Sequence, residues 1–571
     1  MRSFTYALFS LLVLAVTNSS AAGSPYLITA DSVYRHISVL ADDSLEGREV
    51  GEIGEWKAGQ YIQNVFVGAG LAPTGDDDDY LQAYDFIKRI DLGPGNKLSI
   101  NGTPLVLFDD YQPLLQSDTA AALDFESVVD AGYGITVAEN EGDYDDYEGI
   151  DVAGKAVLVR RFSPPKDQHE GIDFDKYSAI TDKINNAVEH EASAIIFITP
   201  SDKDDAIKDE PAAFVHAKDI PVLWLKRAGL EKLGLSIDEP LISSVTGATE
   251  LIRVRDTSYN VIGFIPGRSD TTVIIGAHYD HLGWGGPSSM YKGEEKMIHN
   301  GADDNASGVA VMLELARHYS SERDRLHYSL LFIAFSGEEA GVLGSTHFAK
   351  NMTIDSSKVR MMLNLDMIGR LADQDGLAIM GTGTCEEFKT FFDSVSYDHL
   401  KLSLKESGVG PSDHTPFYNR GIPSMTFFTG PHSDYHKPTD DIERIDTHGI
   451  VRVTQLARDI IDHFDAIDSP LTFQKTKDSG MGKRRSQFSV SLGVMPDHVA
   501  EVKGVRVDGV IPDRPGAKAG VIEGDVIIRI GDNAIGDIYD YMSALGKFSP
   551  GDSTVVVVER GVDTLSLDLV F

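Results

Sequence analysis

The chain has a single cysteine, Cys385, among its 571 residues, so no disulfide can form within it. A protein this large can rely on its hydrophobic core instead. With no partner in the pattern, Cys385 reads as a packing residue rather than a nucleophile. Stretches of 18 or so consecutive apolar residues are missing too, and that argues against a membrane-spanning helix. Base is in short supply: 51 Lys and Arg stand against 88 Asp and Glu, a formal net charge of −37. A field of that sign disfavours nucleic acid and anionic membranes as partners. It names no partner of its own and is the mark of a well-solvated surface. No internal repeat is visible.

What is present suits a globular protein of three or four domains, at roughly 150 residues each. Hydrophobic residues make up 42%. The N-terminus has Arg2, an apolar run from Tyr6 to Val16, then Ala21 and Ala22. A basic start, a short apolar stretch and an Ala-rich end describe a secretory signal peptide over residues 1–22. The expected location is therefore outside the cytoplasm, periplasmic or secreted.

Residues 31–70 read as two helical segments broken at Gly47-Arg-Glu-Val-Gly51, and residues 23–91 are grouped as the N-terminal part of the domain that resumes at 252. From 92 to 251 short strands and turns dominate, with strands at Gly154–Arg160 and Ala194–Thr199 and a helix from Tyr177 to His190. This stretch resembles a protease-associated (PA) domain, a β-rich insert of several exopeptidase families. From 252 to 465 strands and helices alternate. Thr272–Ala277, Ser329–Phe335 and Met361–Leu365 are continuous apolar runs of buried-sheet type, and helices are predicted near 306–320, 341–350 and 442–464. That alternation predicts an α/β fold with a mostly parallel central sheet flanked by helices. A polar linker containing Lys483-Arg-Arg485 spans 466–487. Residues 488–571 resemble a PDZ domain through Ser491-Leu-Gly-Val494, Val510–Gly520 and Gly524–Gly531, which implies a site for a peptide C-terminus. The acidic run Asp76–Asp79 reads as a solvated loop rather than a calcium site.

Five segments place metal-binding side chains after predicted strands: Ala277-His-Tyr-Asp-His-Leu-Gly283, Asn300–Gly308, Phe335-Ser-Gly-Glu-Glu-Ala-Gly341, Asn364-Leu-Asp-Met-Ile-Gly369 and Ser433-Asp-Tyr-His-Lys-Pro-Thr-Asp440. In open parallel sheets ligands gather at the carboxyl ends of strands, so these segments can converge. Imidazole and carboxylate without thiolate suit zinc, with manganese or cobalt second. Two histidines and three acids hold two ions if one carboxylate bridges. Taken singly, each residue has a plainer role, since acids favour helix starts and His or Asp favour turns. The joint occurrence of five ordered segments is what speaks for a metal site. Asp280, two residues after His278 on one face of an extended segment, is expected to accept a hydrogen bond from that imidazole.

In order and local pattern the five segments resemble the co-catalytic zinc aminopeptidases of the bacterial leucyl aminopeptidase type, a zinc-exopeptidase fold. The resemblance implies two zinc ions per chain, with His278, Glu339, Asp366 and His436 as ligands and Asp304 as the bridge, Asp303 being its neighbour. It implies Glu338 as general base and Tyr435 as a donor to the developing oxyanion. Peptides are the implied substrates, cut at the free N-terminus. Rival readings are a carboxypeptidase or dipeptidase, for which Arg370 is the candidate carboxylate holder, a single-zinc glutaminyl cyclase of the same fold, and a peptide-binding scaffold with a decayed core. His281, His299, Asp413 and His414 are placed with the turn and capping residues, although Ser412-Asp-His414 can support a substrate pocket.

Overall fold

The computed structural model describes residues 26–571 apart from 138–143, 166–171, 173, 207–217, 239, 294, 374–375, 397–399, 477–489, 491, 497–502, 511–513, 523, 532, 536–540, 542–543, 546, 549–550 and 562. The signal-peptide reading of 1–22 and the Lys483-Arg-Arg485 cluster lie outside the described residues, as does Ser491 of the PDZ-like loop.

Four strands form the centre of the main sheet, in the order Ser329–Phe335, Thr272–His278, Val359–Leu365 and Ser424–Phe428, and every neighbouring pair is parallel. All seven residues of both Thr272–His278 and Ser329–Phe335 are buried, which explains their unbroken apolar runs. Val273, Ile275 and Ala277 join one apolar core, while Ile274 joins the core on the opposite face. The parallel centre agrees with the sequence expectation, and antiparallel strands extend the sheet. Leu377–Met380 runs antiparallel to Ser424–Phe428 on one flank. On the other, Val245–Ile265 runs antiparallel to Ser329–Phe335 and continues outward to pair with Leu81–Leu92.

Helices Ala30–Leu40, Ile53–Ala69, Gly308–Ser321 and Thr447–Asp465 share the larger apolar core. The first is stopped from fraying by a capping box, in which Thr29 accepts from the Ser32 amide at 3.1 Å and Ser32 accepts from the Thr29 amide at 3.0 Å. Residues 466–476, read from sequence as the start of the linker, lie against this domain. Arg360 Nη2 donates to the carbonyls of Ile467 and Ser469 at 2.8 and 2.9 Å, and the Thr476 amide to Tyr418 Oη at 3.0 Å.

The insert has its own five-stranded sheet, in the order Tyr111–Pro113, Val222–Leu225, Ala194–Ile198, Ala156–Arg160 and Val128–Asp130. Leu158, Ile196 and Leu223 pack on one face. Val157, Ile195, Phe197 and Trp224 pack on the other, with Ile184 and Ala187 of the Ile180–Glu189 helix. The last domain is an antiparallel sheet of Val494–Pro496, Val505–Val510, Val526–Ile530, Ser553–Arg560 and Asp563–Val570. The helix Pro515–Ala519 belongs to it, and Arg560 grips the buried Asp525 carboxylate through two bonds of 2.7 and 2.8 Å.

Candidate metal centre

Because the four central strands are parallel, their carboxyl ends share one edge of the sheet, and the candidate residues sit on the turns that follow them. His278 is the last residue of its strand and is buried. Its Nε2 lies 3.3 Å from Asp366 Oδ1 and 3.4 Å from Asp304 Oδ1. Asp366 directly follows Leu365, and its other oxygen accepts from Ser412 Oγ at 2.6 Å, which in turn accepts from Asn364 Nδ2 at 2.8 Å. Met367 next to it has φ of 48°, a left-handed conformation that turns the chain sharply away from the strand.

Asp304 divides its two oxygens. Oδ1 faces His278, while Oδ2 lies 3.3 Å from His436 Nε2 and 3.8 Å from His281 Nδ1. That is the geometry of a carboxylate shared between two positions. Asp303 points elsewhere: its Oδ1 accepts from the Gly369 amide at 2.6 Å and Ser307 Oγ at 3.0 Å, and its Oδ2 lies 3.2 Å from His432 Nε2. The Asp440 carboxylate accepts from the amides of both Asp303 and Asp304 at 3.0 Å and so fixes the turn that orients them.

Glu338 and Glu339 follow the Ser329–Phe335 strand. Asp280 holds this turn by accepting from the Glu338 amide at 3.0 Å and the Glu339 amide at 3.3 Å. With its carboxylate so engaged, Asp280 does not make the expected hydrogen bond to His278. Its Oδ1 is 3.6 Å from His278 Nδ1, beyond hydrogen-bond reach, and the nearer acceptor is the Asp280 main-chain carbonyl at 3.3 Å. Glu339 spans two imidazoles, with Oε1 2.8 Å from His281 Nδ1 and Oε2 3.2 Å from His436 Nε2. Among the described residues nothing hydrogen-bonds the Glu338 carboxylate. Burial pushes its pKa well above the usual carboxylate range, with Asp366, Asp413 and Glu339 adding to the effect against the pull of His278.

His436 has φ of 54° and is held on three sides. Its Nδ1 donates to the Ser288 carbonyl at 2.9 Å, which leaves Nε2 to face the carboxylates. Its own carbonyl accepts from the Met290 amide at 2.9 Å. The Tyr435 ring stacks on it at 3.8 Å between centroids. Tyr435 is half-buried, and burial beside Asp304, Glu339, Glu338 and Asp366 lifts its phenol well above the ordinary value, so the hydroxyl keeps its proton.

His281 lies in this cluster, contrary to its placement with the turn residues. It is buried against Glu339 and Asp304, and its ring is 5.9 Å from that of His436. The sequence carried one faint signal, its position three residues past His278 at a strand end. His299 does behave as a loop residue, its ring nitrogens 2.8 Å from Ser289 Oγ and 3.0 Å from the Met297 carbonyl. His414 is buried with no hydrogen-bond partner for its ring among the described residues, and burial drives its pKa down to about 3, so it is neutral. Ser412 reaches the site by bracing Asp366, whereas Asp413 is buried, near Ser345, and neither of its oxygens has a close hydrogen-bond partner among the described residues. Arg370 is buried and engaged with Asp434 at 2.9 Å, Asp373 at 3.1 Å and Asp440 at 3.5 Å. Cys385 donates to Glu387 Oε2 at 2.6 Å, and burial first of all raises its thiol pKa to about 12, as suits an inert residue. Asp76–Asp79 forms an exposed turn in which Asp76 Oδ2 accepts from the Ala83 amide at 2.8 Å.

The cluster is short of positive charge. Asp280, Asp304, Glu338, Glu339 and Asp366 are gathered around His278, His281 and His436. Burial alone would drive protons off His278 and His436, yet Glu339 and Asp304 raise His436 to about 11, and Asp366, Asp280 and Asp304 raise His278 well above its ordinary value. Protons are thus drawn to positions that a cation would fill better, because buried carboxylates need compensating charge. Two sets of donors lie within coordinating range of a common point, His278 with Asp304 and Asp366, and His281 with Asp304 and Glu339. With His436 equally near Asp304 and Glu339, this nitrogen and oxygen donor set fits zinc.

The α/β sheet carries paired imidazole–carboxylate sets at its strand ends, and two segments of the chain match known family models. Residues 260–461 match Peptidase family M28, and residues 473–570 match the PDZ domain. A probable leucine aminopeptidase of Trichophyton verrucosum (strain HKI 0517) is 32% identical over 217 residues, 36% of this chain and 55% of that protein. Aminopeptidase YwaD of Bacillus subtilis (strain 168) is 30% identical over 282 residues, 46% of this chain and 55% of that protein. The chain thus spans about half the length of the curated relatives it matches. Among solved structures, an aminopeptidase from Aneurinibacillus sp. strain AM-1 aligns with a TM-score of 0.47 and 23% identity, covering 78% of this chain and 96% of that one.

Proposed function

We propose that the protein is an exported zinc aminopeptidase that removes N-terminal residues from peptides with the aid of two metal ions. The observation that carries this reading is the division of Asp304, one oxygen toward His278 and the other toward His436 and His281. His278 and Asp366 would hold one ion with Asp304, and Glu339 and His436 the other. His436 is favoured over His281 as the ligand because its Nδ1 is anchored on a carbonyl, leaving the Nε2 lone pair free. His281 Nδ1 then donates to Glu339 and orients it. The ions, when bound, would polarise the scissile carbonyl and acidify water.

The remaining work falls to protein groups. Glu338, whose carboxylate has no hydrogen bond among the described residues, takes the proton of the attacking water and passes it to the leaving amine. Asp280 keeps Glu338 and Glu339 in register by holding both of their amides. Tyr435, its phenol protonated, donates to the oxygen that gains charge. The engagement of Arg370 with three carboxylates weighs against its serving as a carboxypeptidase's carboxylate holder. The names of the curated relatives also favour attack at the N-terminus. The PDZ-like domain would deliver peptides by their C-termini, and the N-terminal apolar run supports export.

The test compares amino-acid anilides with N-blocked and C-blocked dipeptides. Anilides and C-blocked dipeptides should be cut and N-blocked ones spared, chelation should abolish turnover, and zinc should restore it. Glu338→Ala should lower kcat by roughly 10²–10⁴-fold with metal content unchanged. Full activity in that variant removes Glu338 from the mechanism, and cleavage of N-blocked dipeptides overturns the aminopeptidase reading.

A further inference from the structure

Beneath the cluster lies a buried guanidinium from a segment far upstream of the peptidase-family match. Arg48 is 1% exposed and has φ of 54°. Its Nε donates to the Tyr279 carbonyl at 2.7 Å, and Nη1 to the Asn300 carbonyl at 2.6 Å and also to the Leu40 carbonyl. Its Nη2 donates to the Gly301 carbonyl at 3.0 Å. The main chain joins in: the Arg48 carbonyl accepts from the His281 amide at 3.1 Å, and the Gly47 carbonyl from the Gly283 amide at 2.9 Å. Gly47 has φ of 70°, and a Cβ there would come within 2.4 Å of the Gly283 carbonyl and 2.5 Å of the His299 carbonyl. The segment is therefore threaded between the loop bearing His278, Asp280 and His281 and the loop bearing Asp303 and Asp304.

We propose that Arg48 is a positioning residue of the metal centre, its planar fork stapling the 278–283 loop to the 299–304 loop and thereby setting the distance between His278 and Asp304. The two loops also meet directly, the His299 amide donating to the Gly283 carbonyl at 2.8 Å, and Arg48 adds bonds to Tyr279, Asn300 and Gly301 nearer the candidate ligands. A fork of fixed geometry suits four carbonyls in a way a point charge does not. Burial lowers Arg48 to about 10, against the pull of Asp280, Asp304, Asp440 and Glu339, so it stays charged at neutral pH and offsets part of the acid excess. The proposal rests on the two-ion reading for its consequence, though not for its geometry.

The test uses the full-length protein and three variants, Arg48→Met, Arg48→Lys and Gly47→Ala. Zinc affinity is measured by chelator competition, kcat and KM with an amino-acid anilide, and amide hydrogen exchange of residues 300–304 in metal-free protein. Arg48→Met should weaken zinc binding about 10–100-fold, the scale for residues that orient ligands. It should also lower kcat with KM changed little, and speed exchange at 300–304. Arg48→Lys should recover part of each loss, and Gly47→Ala, which displaces the same segment, should act in the same direction. If Arg48→Met does not fold, Arg48→Lys decides. A folded variant with wild-type zinc affinity, kcat and exchange overturns the staple. Wild-type protein that binds no zinc overturns the two-ion reading instead, and the exchange measurement then judges the staple alone.

Discussion

The helix Gly308–Ser321 begins beside one set of buried carboxylates and carries another, Glu314, near its middle. The two are resolved in opposite ways. Glu314 is fully buried, yet it accepts from Tyr26 Oη at 2.9 and 3.0 Å, His36 Nε2 at 3.1 Å, Arg317 Nη1 at 3.3 Å and Ser32 Oγ. One acid has four donors and needs nothing more. At the strand ends Asp304, Glu338, Glu339 and Asp366 share three imidazoles, and the Glu338 carboxylate has no hydrogen bond among the described residues. Burial of an acid is therefore not in itself the mark of a metal site. A shortage of donors around several acids is.

The sharpest way to break this comparison is Asp304→Asn, which removes the charge shared by both sets while keeping the shape. Zinc content should fall at both positions, with kcat down on the order of 10²–10³-fold or more, the scale for losing preorganised charge stabilisation. Metal analysis after dialysis reads the first effect and anilide turnover the second. Two equivalents of tightly held zinc in this variant would mean that the oxygens of Asp304 do not serve two positions.

A smaller effect separates the two imidazoles that face Glu339. His436→Ala should empty one position, leaving about one zinc per chain and little activity. His281→Ala should keep both ions but hold one of them about 10–100-fold more weakly, as when an orienting partner is lost. Stoichiometry by mass spectrometry of the native protein distinguishes them. The opposite order would make His281 the ligand and His436 the orienting residue.

What could be read from sequence divides along the same physical line. The central strands were legible because both faces of Thr272–His278 and Ser329–Phe335 are covered, so every position had to be apolar. The acids and imidazoles were legible because their types are unusual directly after such runs. His281 was hidden, since a single histidine in a turn has many ordinary uses. Asp440 and Arg48 left no pattern, because they act on main-chain amides and carbonyls of distant segments, whatever side chains those segments bear. Asp280 was expected to serve an imidazole, but it serves two amides of a turn 58 residues away, a contact set by topology alone.

The smallest effect concerns the satisfied acid and bears on stability rather than on chemistry. Burial pushes the Glu314 pKa up, but hydrogen bonds from His36, Ser32 and Tyr26 outweigh it, so the folded value lies below the ordinary one. For an acid depressed in this way the stabilisation is complete above the unfolded pKa of about 4.3 and is lost as pH falls through the folded pKa. Glu314→Gln should cost about 1–3 kcal/mol at pH 7, where an acceptor for charged and hydroxyl donors is lost, and leave zinc content unchanged. Below pH 4 the gap between variant and wild type should narrow, since the wild-type acid is then protonated as well. Thermal midpoints of metal-free protein across this range measure it. A gap that stays constant from pH 7 to pH 3 would show that Glu314 is held by packing rather than by charge-assisted bonds, and the contrast with the donor-poor cluster would lose its physical basis.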